Sequence, residues 1–176
     1  MEEAWTCRRA CPRGEMNCRQ RLQEYLTSNG VSFEAEQHRV AYTAQEVAAA
    51  EHVPGRRVAK VVMAMVDGNA VMLVLPANSR VDLERVKATL GAGEARLEQE
   101  QEFANIFPDC EVGAMPPFGN LYGIPVIVEQ SLSRSPEITF QAGSHTETMR
   151  IRYVDYERLV QPKVLDFAAK PQAAPA

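Results

Sequence analysis

The sequence has no long hydrophobic run and no excess of positive charge. No apolar stretch approaches the ~20 residues that a transmembrane helix requires, and the first fifteen residues contain no apolar segment typical of a secretory signal. We therefore expect a cytoplasmic protein with no membrane partner. The 23 acidic residues outnumber the 19 basic ones, and the formal net charge of −4 does not favour a general DNA-coating role. Contact with nucleic acid would need a local basic patch.

Few residues are available for metal or disulfide chemistry. The three histidines are scattered and the four cysteines match no zinc-site spacing, so no metal is expected. Cys7, Cys11 and Cys18 cluster near the amino end, whereas Cys110 stands alone. In a chain without an export signal, this usage favours reduced thiols. A thiol or metal protein using the amino-terminal cysteines is a further hypothesis, which intact activity after deletion of residues 1–15 would dismiss.

Several familiar catalytic motifs are also missing. The chain has no GxSxG nucleophile elbow, no Walker loop, no GxGxxG and no HExxH. Ser144 and His145 are adjacent in sequence, but neighbouring side chains of an extended segment point to opposite faces, which disfavours a direct nucleophile–base pair. The residues alone therefore indicate no evident covalent nucleophile.

The composition is typical of one globular domain. The chain has 176 residues, of which 45% are hydrophobic and 24% are charged. We expect residues 1–15 to be a disordered extension, residues 16–165 to form a single domain and residues 166–176 to be a flexible tail. Strands and helices mix without a regular βαβ alternation, which predicts an α+β fold with a mixed, largely antiparallel sheet.

Local signals place the principal elements. Asn17 is predicted to cap a first helix, and Thr43 to Glu46 is predicted to form a capping box at the start of a second. The apolar runs 60–66 and 70–75 are separated by Asp-Gly-Asn, which predicts a hairpin. Ser79 to Asp82 predicts another capping box. Further strands are predicted at residues 124–129, 137–141 and 147–153.

Four features could carry chemistry, and one of them is Tyr42-Thr43, for which the predicted helix cap is already a sufficient explanation. Arg56, Arg57 and Lys60 place three cations at the start of a buried strand, and ordinary surface charge is the competing interpretation. A lysine that begins an apolar run either extends its ammonium to solvent or faces an anion. The segments 113–120 and 143–146 contain glycines that permit close backbone approach, and a structural turn is the competing interpretation of each.

Taken in order, these features resemble the YbaK/aminoacyl-tRNA editing family, which includes free-standing relatives of the editing insertion domain of bacterial prolyl-tRNA synthetase. The resemblance covers about residues 18–162. Six segments carry it, in the family's order: the Thr43-x-x-Glu46 helix start, VAK ending at Lys60, LPANSRVDLERVKATLG, VGAMPPFGN, PVIVEQSL and FQAGSHTETMRI. The resemblance implies a barrel-like sheet flanked by helices.

The same resemblance implies a reaction. This is hydrolysis, in trans, of the ester that joins a wrong, small amino acid to the 3′ end of a tRNA. Lys60 matches the family's functional lysine, and Gly113 to Pro117 matches its GxxxP loop, whose backbone groups would hold the aminoacyl moiety and the oxyanion. A bound water would attack, so no metal and no cofactor is implied.

The resemblance also implies a set of site residues. The catalytic ones are Lys60, Gly113, Ser144 and His145. The substrate-binding ones are Thr43, Ala114, Met115, Pro116, Pro117, Phe118, Gly119, Gly143, Arg56 and Arg57. Mischarged tRNA is the implied partner, and an aminoacyl-tRNA synthetase is a further candidate. The alternative is a catalytically silent homologue that binds tRNA or a synthetase. The sequence leaves the oligomeric state and the edited amino acid open.

Overall fold

Residues 16–169 of the chain are described by the computed structural model. Their helices are Cys18–Ser28 (α1), Ala44–Ala50 (α2), Leu83–Leu90 (α3), Glu100–Phe103 (α4), Gln130–Ser133 (α5) and Tyr153–Val160 (α6). Short 3-10 helices cover Gly55–Arg57 and Gly119–Tyr122. None of the helices in this part of the chain is long and apolar enough to cross a membrane. The predicted extension, residues 1–15, lies outside the described residues.

Within the described residues, ten strands form three sheets. The strands are Glu34–Gln37 (β1), Ala59–Val66 (β2), Asn69–Pro76 (β3), Arg80–Val81 (β4), Ala95–Leu97 (β5), Val126–Glu129 (β6), Glu137–Gln141 (β7), Glu147–Arg152 (β8), Lys163–Leu165 (β9) and Ala168–Ala169 (β10). A five-stranded sheet has the order β5-β2-β3-β6-β9, in which β6 runs parallel to both neighbours. A three-stranded antiparallel sheet has the order β1-β8-β7, and β10 pairs with β4.

The predicted α+β class with a mixed, largely antiparallel sheet is confirmed. An isolated bridge from Val58 to Thr139 joins the two larger sheets at the start of β2. The described strands do not, however, close into one continuous barrel. The bridge matters for function because it brings the start of β2 close to β7.

The β2–β3 hairpin forms the centre of the core, and its position is the predicted one. Its side chains alternate between two buried clusters, since successive residues of a strand face opposite sides. Met72 and Val74 belong to the larger cluster, whereas Leu73 and Leu75 belong to a second. Lys60 pairs with Leu75 at the end of the hairpin opposite the turn, where the sheet meets the surface.

The helix caps follow the sequence signals at α1 and α2 but not at α3. The side chain of Asn17 caps α1, and Thr43 begins a complete capping box at α2. The capping box predicted at Ser79 to Asp82 is wrong. Asp82 itself caps α3 by accepting from two backbone amides, because Arg80 and Val81 form β4 and pair with β10.

Packed structure extends further toward the carboxyl end of the chain than the sequence predicts. Phe167 is fully buried, and Ala168 belongs to β10. The buried carboxylate of Glu129 accepts hydrogen bonds from the backbone amides of both residues at 2.8 Å. Part of the segment that the sequence assigns to a flexible tail, Phe167 and Ala168, is therefore packed against the core, and residues 170–176 lie outside the described residues.

A disulfide joins Cys18, at the start of α1, to Cys110. The prediction of reduced thiols is wrong for this pair, because the fold brings together two cysteines 92 positions apart in sequence. The hydroxyl of Tyr122 lies 3.5 Å from the Cys18 sulfur and 3.3 Å from the Cys110 sulfur. The bridge ties α1 to the segment that leads into the Gly113 loop. Cys7 and Cys11 lie outside the described residues.

Candidate functional site

A cavity of about 320 Å³ lies between the start of α2 and the start of β2. Its polar lining side chains are Tyr42, Thr43, Gln45, Lys60 and Gln141. Its apolar lining includes Val47, Val58, Val61 and Met115, and Gly113 contributes backbone. Across residues 16–169, no group of three or more His, Cys, Asp or Glu residues could hold a metal ion. The cavity therefore has a cation and hydrogen-bonding groups to offer a ligand.

Lys60 supplies the cation. Its Nζ donates to the backbone oxygen of Ser79 and, at 3.5 Å, to that of Ala77. The side chain is half-buried, and this burial lowers the pKa of the Lys60 ammonium, with a further decrease from the positive charge of Arg80. A negative charge entering the cavity would offset both effects, so the ammonium is suited to stabilise an anion.

The capping box of α2 forms one wall. The Thr43 hydroxyl accepts a hydrogen bond from the Glu46 amide at 3.1 Å, and the Glu46 carboxylate accepts from the amides of Tyr42 and Thr43 at 2.8 and 3.0 Å. The hydrogen bonds from the backbone amides of Thr43 and, to a smaller extent, Tyr42 hold the pKa of the Glu46 carboxyl below its ordinary value. Since the box uses only the Thr43 oxygen, its hydroxyl hydrogen can be donated to a ligand.

The loop that begins at Gly113 places only part of itself in the cavity. Gly113 has a φ of 86°, in the left-handed region that favours glycine. Its amide donates to the sulfur of Met115 at 3.2 Å. Because a thioether is a weak acceptor, a ligand oxygen can displace the Met115 sulfur from this amide at little cost. The carbonyl of Ala114 accepts from the Gly143 amide at 2.9 Å, which joins this loop to the next one.

The remainder of the predicted loop is structural. Pro116 and Gly119 are buried away from the cavity, and the carbonyl of Pro117 accepts from the Tyr156 hydroxyl at 2.8 Å. Phe118 is fully buried, and its ring packs edge-on against that of Tyr156. Residues 116–119, which the resemblance implied for substrate binding, therefore hold the loop in the core and do not line the cavity.

The turn that contains Ser144 and His145 separates these two side chains. Ser144 Oγ donates to Glu147 at 3.2 Å and faces a different cleft, beside the disulfide. The ring of His145 packs at a tilt against that of Tyr42, with centroids 4.9 Å apart, and its Nε2 lies 3.1 Å from the carbonyl of Val112. Ser144 thus lies outside the cavity implied for it, and His145 contacts the lining residue Tyr42 without lining the cavity itself.

Gly143 lies too close to the disulfide to accept a side chain. Its φ is 98°, and an added Cβ would lie 2.6 Å from the Cβ and 2.7 Å from the sulfur of Cys18. We expect Gly143→Ala to lower the free energy of unfolding, measured in urea, by about 1–3 kcal/mol more than Gly30→Ala does. Gly30 is a matched control because its φ is also positive but nothing lies within 4 Å of an added Cβ. Equal losses would show that the close approach to Cys18 is unimportant.

The three predicted cations do not share one cavity. Lys60 lines the cavity, whereas Arg56 and Arg57 line a separate groove. The 3-10 helix Gly55–Arg57 lies between the two, and the chain enters the cavity wall at Val58 immediately after it. The arginines can therefore contact only a ligand that extends beyond the cavity.

Three polar residues of the cavity lining, Tyr42, Gln45 and Gln141, are absent from the set that the resemblance implied. Tyr42 is 69% exposed, and Gln141 donates from Nε2 to the carbonyl of Ala41 at 2.8 Å. The available signals were an aromatic residue before a capping box and a polar residue ending the apolar strand ITFQ. Either pattern is also typical of ordinary surface positions, so neither identifies a site by itself.

The sequence model of the aminoacyl-tRNA editing domain family matches residues 38–159. This range contains every residue named above as lining the cavity. The chain belongs to this editing family. The resemblance inferred from the six ordered segments is thereby confirmed. Among curated relatives, the editing domain is similar to the multifunctional Ser/Thr-tRNA deacylase ProXp-y of Escherichia coli K12. The two are 27% identical over 153 residues, which cover 84% of this chain and 91% of that protein.

Solved structures share the fold of this editing domain. One, described as a candidate trans-editing enzyme for prolyl tRNA synthetase, has a TM-score of 0.76 at 19% identity, covering 89% of this chain and 99% of that one. Another, the hypothetical protein APE2540, has a TM-score of 0.76 at 18% identity, covering 84% of this chain and 99% of that one. At such identities the similarity is one of fold.

Proposed function

We propose that this editing domain is a trans-editing aminoacyl-tRNA deacylase. It hydrolyses the ester that joins a small, wrong amino acid to the 3′ end of a tRNA, and residues 16–165 form the active unit. The observation that carries the proposal is the convergence of Lys60, the Gly113 backbone and Thr43 on one cavity. Family membership and the activity named for the Escherichia coli relative support it.

The cavity offers groups that can stabilise the negative charge formed during ester hydrolysis. Water attacks the carbonyl carbon, and negative charge develops on the carbonyl oxygen. The Gly113 amide and the Lys60 ammonium are the groups that can stabilise this oxyanion. The bond from the carbonyl carbon to the 3′ oxygen then breaks, and that oxygen takes the proton that the attacking water has lost. The products are a free amino acid and a tRNA with a free 3′ hydroxyl.

Positioning replaces covalent catalysis in this proposal. The described lining contains neither a serine nor a cysteine, which agrees with a water nucleophile held by the cavity and by the 2′ hydroxyl of the terminal adenosine. Thr43 and Gln141 line the same cavity as Lys60 and offer hydrogen-bonding side chains, as Tyr42 and Gln45 also do. His145 acts through Tyr42, against which its ring packs, and is therefore a positioning residue.

Selection by size is the role proposed for the apolar lining. Val47, Val61 and Met115 limit the space available to the amino-acid side chain. One methylene changes binding in such a pocket by only about 1–3 kcal/mol. This small margin explains why an editing site separate from the synthetase is useful. The edited residues are then small ones, as the name of the Escherichia coli relative also suggests.

The test is a single-turnover deacylation assay with a panel of mischarged tRNAs. tRNAs carrying Ala, Cys, Ser or Thr are incubated with excess protein, and release of the amino acid is compared with release in buffer. We expect accelerated release from at least one of the four. Buffer-level release from all of them, with tRNA still bound, would favour the catalytically silent homologue instead.

The proposed reaction also implies the substrate, a partner and a location. Mischarged tRNA is the substrate, and the synthetase that releases it is a candidate partner. A cytoplasmic location agrees with this substrate.

A further inference from the structure

A second depression, of about 600 Å³, lies beside the cavity and is rich in arginine. We call it the arginine groove. Its charged lining residues are Arg56, Arg57, Arg85, Arg134, Glu129 and Asp166. The four arginines come from three distant parts of the sequence, so the fold gathers a concentration of positive charge that the composition does not reveal.

Most of this positive charge faces the groove without a carboxylate partner. Glu129 is only 4% exposed, and its carboxylate accepts from two backbone amides of the carboxyl-terminal segment. Asp166 pairs with Arg85 at 3.0 Å. Within residues 16–169, the other three arginines of the groove form no ion pair. The groove is therefore electrostatically suited to an anionic ligand with several charges.

The arginine groove and the catalytic cavity share a wall. Ala77, just after β3, lines the cavity, whereas Asn78 and Ser79 line the groove. Lys60, on the cavity side, donates from Nζ to the carbonyl of Ser79. A ligand that places its reactive end beside Lys60 can thus continue across this wall into the groove.

The geometry points to the arginine groove as the binding site for the phosphodiester backbone at the 3′ end of the tRNA, an inference that rests on the proposed deacylase function. Guanidinium groups match phosphate oxygens with paired hydrogen bonds. Asn78, Ser79 and Ser131 add neutral groups suited to phosphate and sugar oxygens. The groove explains how a chain of net charge −4 binds RNA, because the contact is local.

The test compares a double variant, Arg56→Gln with Arg134→Gln, with the control Arg158→Gln. Arg158 is an exposed arginine on α6, outside the groove. Each protein is assayed on mischarged tRNA and on the same amino acid esterified to adenosine alone, which has no phosphodiester. Binding of uncharged tRNA is measured in parallel at several salt concentrations, and thermal melting checks that each variant is folded.

The double variant should lose about tenfold or more in kcat/KM on mischarged tRNA and keep the wild-type rate on the adenosine ester. When the logarithm of the tRNA binding constant is plotted against the logarithm of the salt concentration, the negative slope should become shallower by about one for each arginine replaced. Arg158→Gln should match the wild type in every assay. Equal losses on both substrates, or tRNA binding equal to that of the control, would overturn the groove assignment.

Two further outcomes separate the groove from the deacylase function. If the wild type hydrolyses neither substrate, the proposed reaction fails, and the comparison of tRNA binding still decides the groove. If a polyglutamate peptide displaces tRNA as well as an RNA competitor of equal charge, the groove recognises charge alone. That result would overturn the assignment to an RNA backbone in favour of an acidic protein partner.

Discussion

Replacing Lys60 by alanine is expected to lower the single-turnover rate of deacylation by about 10²–10³-fold, the usual cost of losing one preorganised group that stabilises an oxyanion. Lys60 is the cationic side chain of the described cavity lining, and its ammonium already contacts only backbone oxygens. No neighbouring lysine or arginine of that lining can substitute for it. Rapid-quench measurement of amino-acid release from mischarged tRNA gives the rate directly.

Lys163→Ala is the matched control for this prediction. Lys163 is an exposed lysine on β9, away from the cavity, and its removal should leave the rate unchanged. A rate for Lys60→Ala within twofold of the control would remove Lys60 from the mechanism. A melting curve close to that of the wild type would show that the lost rate does not come from unfolding.

The pH dependence of the deacylation rate provides a second test of Lys60. Burial lowers the pKa of Lys60, so its ammonium loses a proton at a lower pH than an ordinary lysine does. We expect the enzymatic rate, corrected for spontaneous hydrolysis, to fall as the pH rises through this lowered pKa. The decrease should be missing from the residual activity of Lys60→Ala. Its persistence in that variant would assign the titration to another group.

Removing the disulfide is expected to lower the free energy of unfolding by about 2–5 kcal/mol. The bond between Cys18 and Cys110 spans 92 positions of sequence, so it removes a large amount of freedom from the unfolded chain. Urea unfolding of Cys18→Ala with Cys110→Ala measures the loss. A reductant should destabilise the wild type by a similar amount and leave the double variant unchanged. Unfolding of the wild type at the same urea concentration with and without reductant would contradict the prediction.

The features that the sequence predicts well are those decided by near neighbours. The caps at Asn17 and Thr43 depend on residues three positions away, and the hairpin depends on the turn between its strands. The place of Lys60 at the start of the strand belongs to this group as well, but its functional role does not, because the residues alone leave solvent and an anion as alternatives and the family resemblance decides between them. Local physics therefore suffices for the centre of the fold and not for the role of Lys60.

The features that the sequence does not predict depend on distant packing. The partner of Cys18 is decided by how α1 lies against the segment before Gly113. Whether Ser144 faces the cavity depends on its hydrogen bond to Glu147, and nothing in the turn sequence specifies that choice. Arg134 joins Arg56 in one groove only because α5 packs beside the 3-10 helix. The local sequence around each of these residues does not indicate which distant residue it will contact.

The pairing of β1 with β8 has a consequence for synthesis. Glu34 pairs with Arg150, and the cavity takes residues from Tyr42 through Gln141. Folds with such distant pairings form slowly, because long segments must be brought together before any contact is gained. As the chain emerges from the ribosome from its amino end, the cavity cannot form until the chain has been translated past Gln141. A protein proposed to correct errors of translation would thus lack its own active site while the first 140 residues are being made.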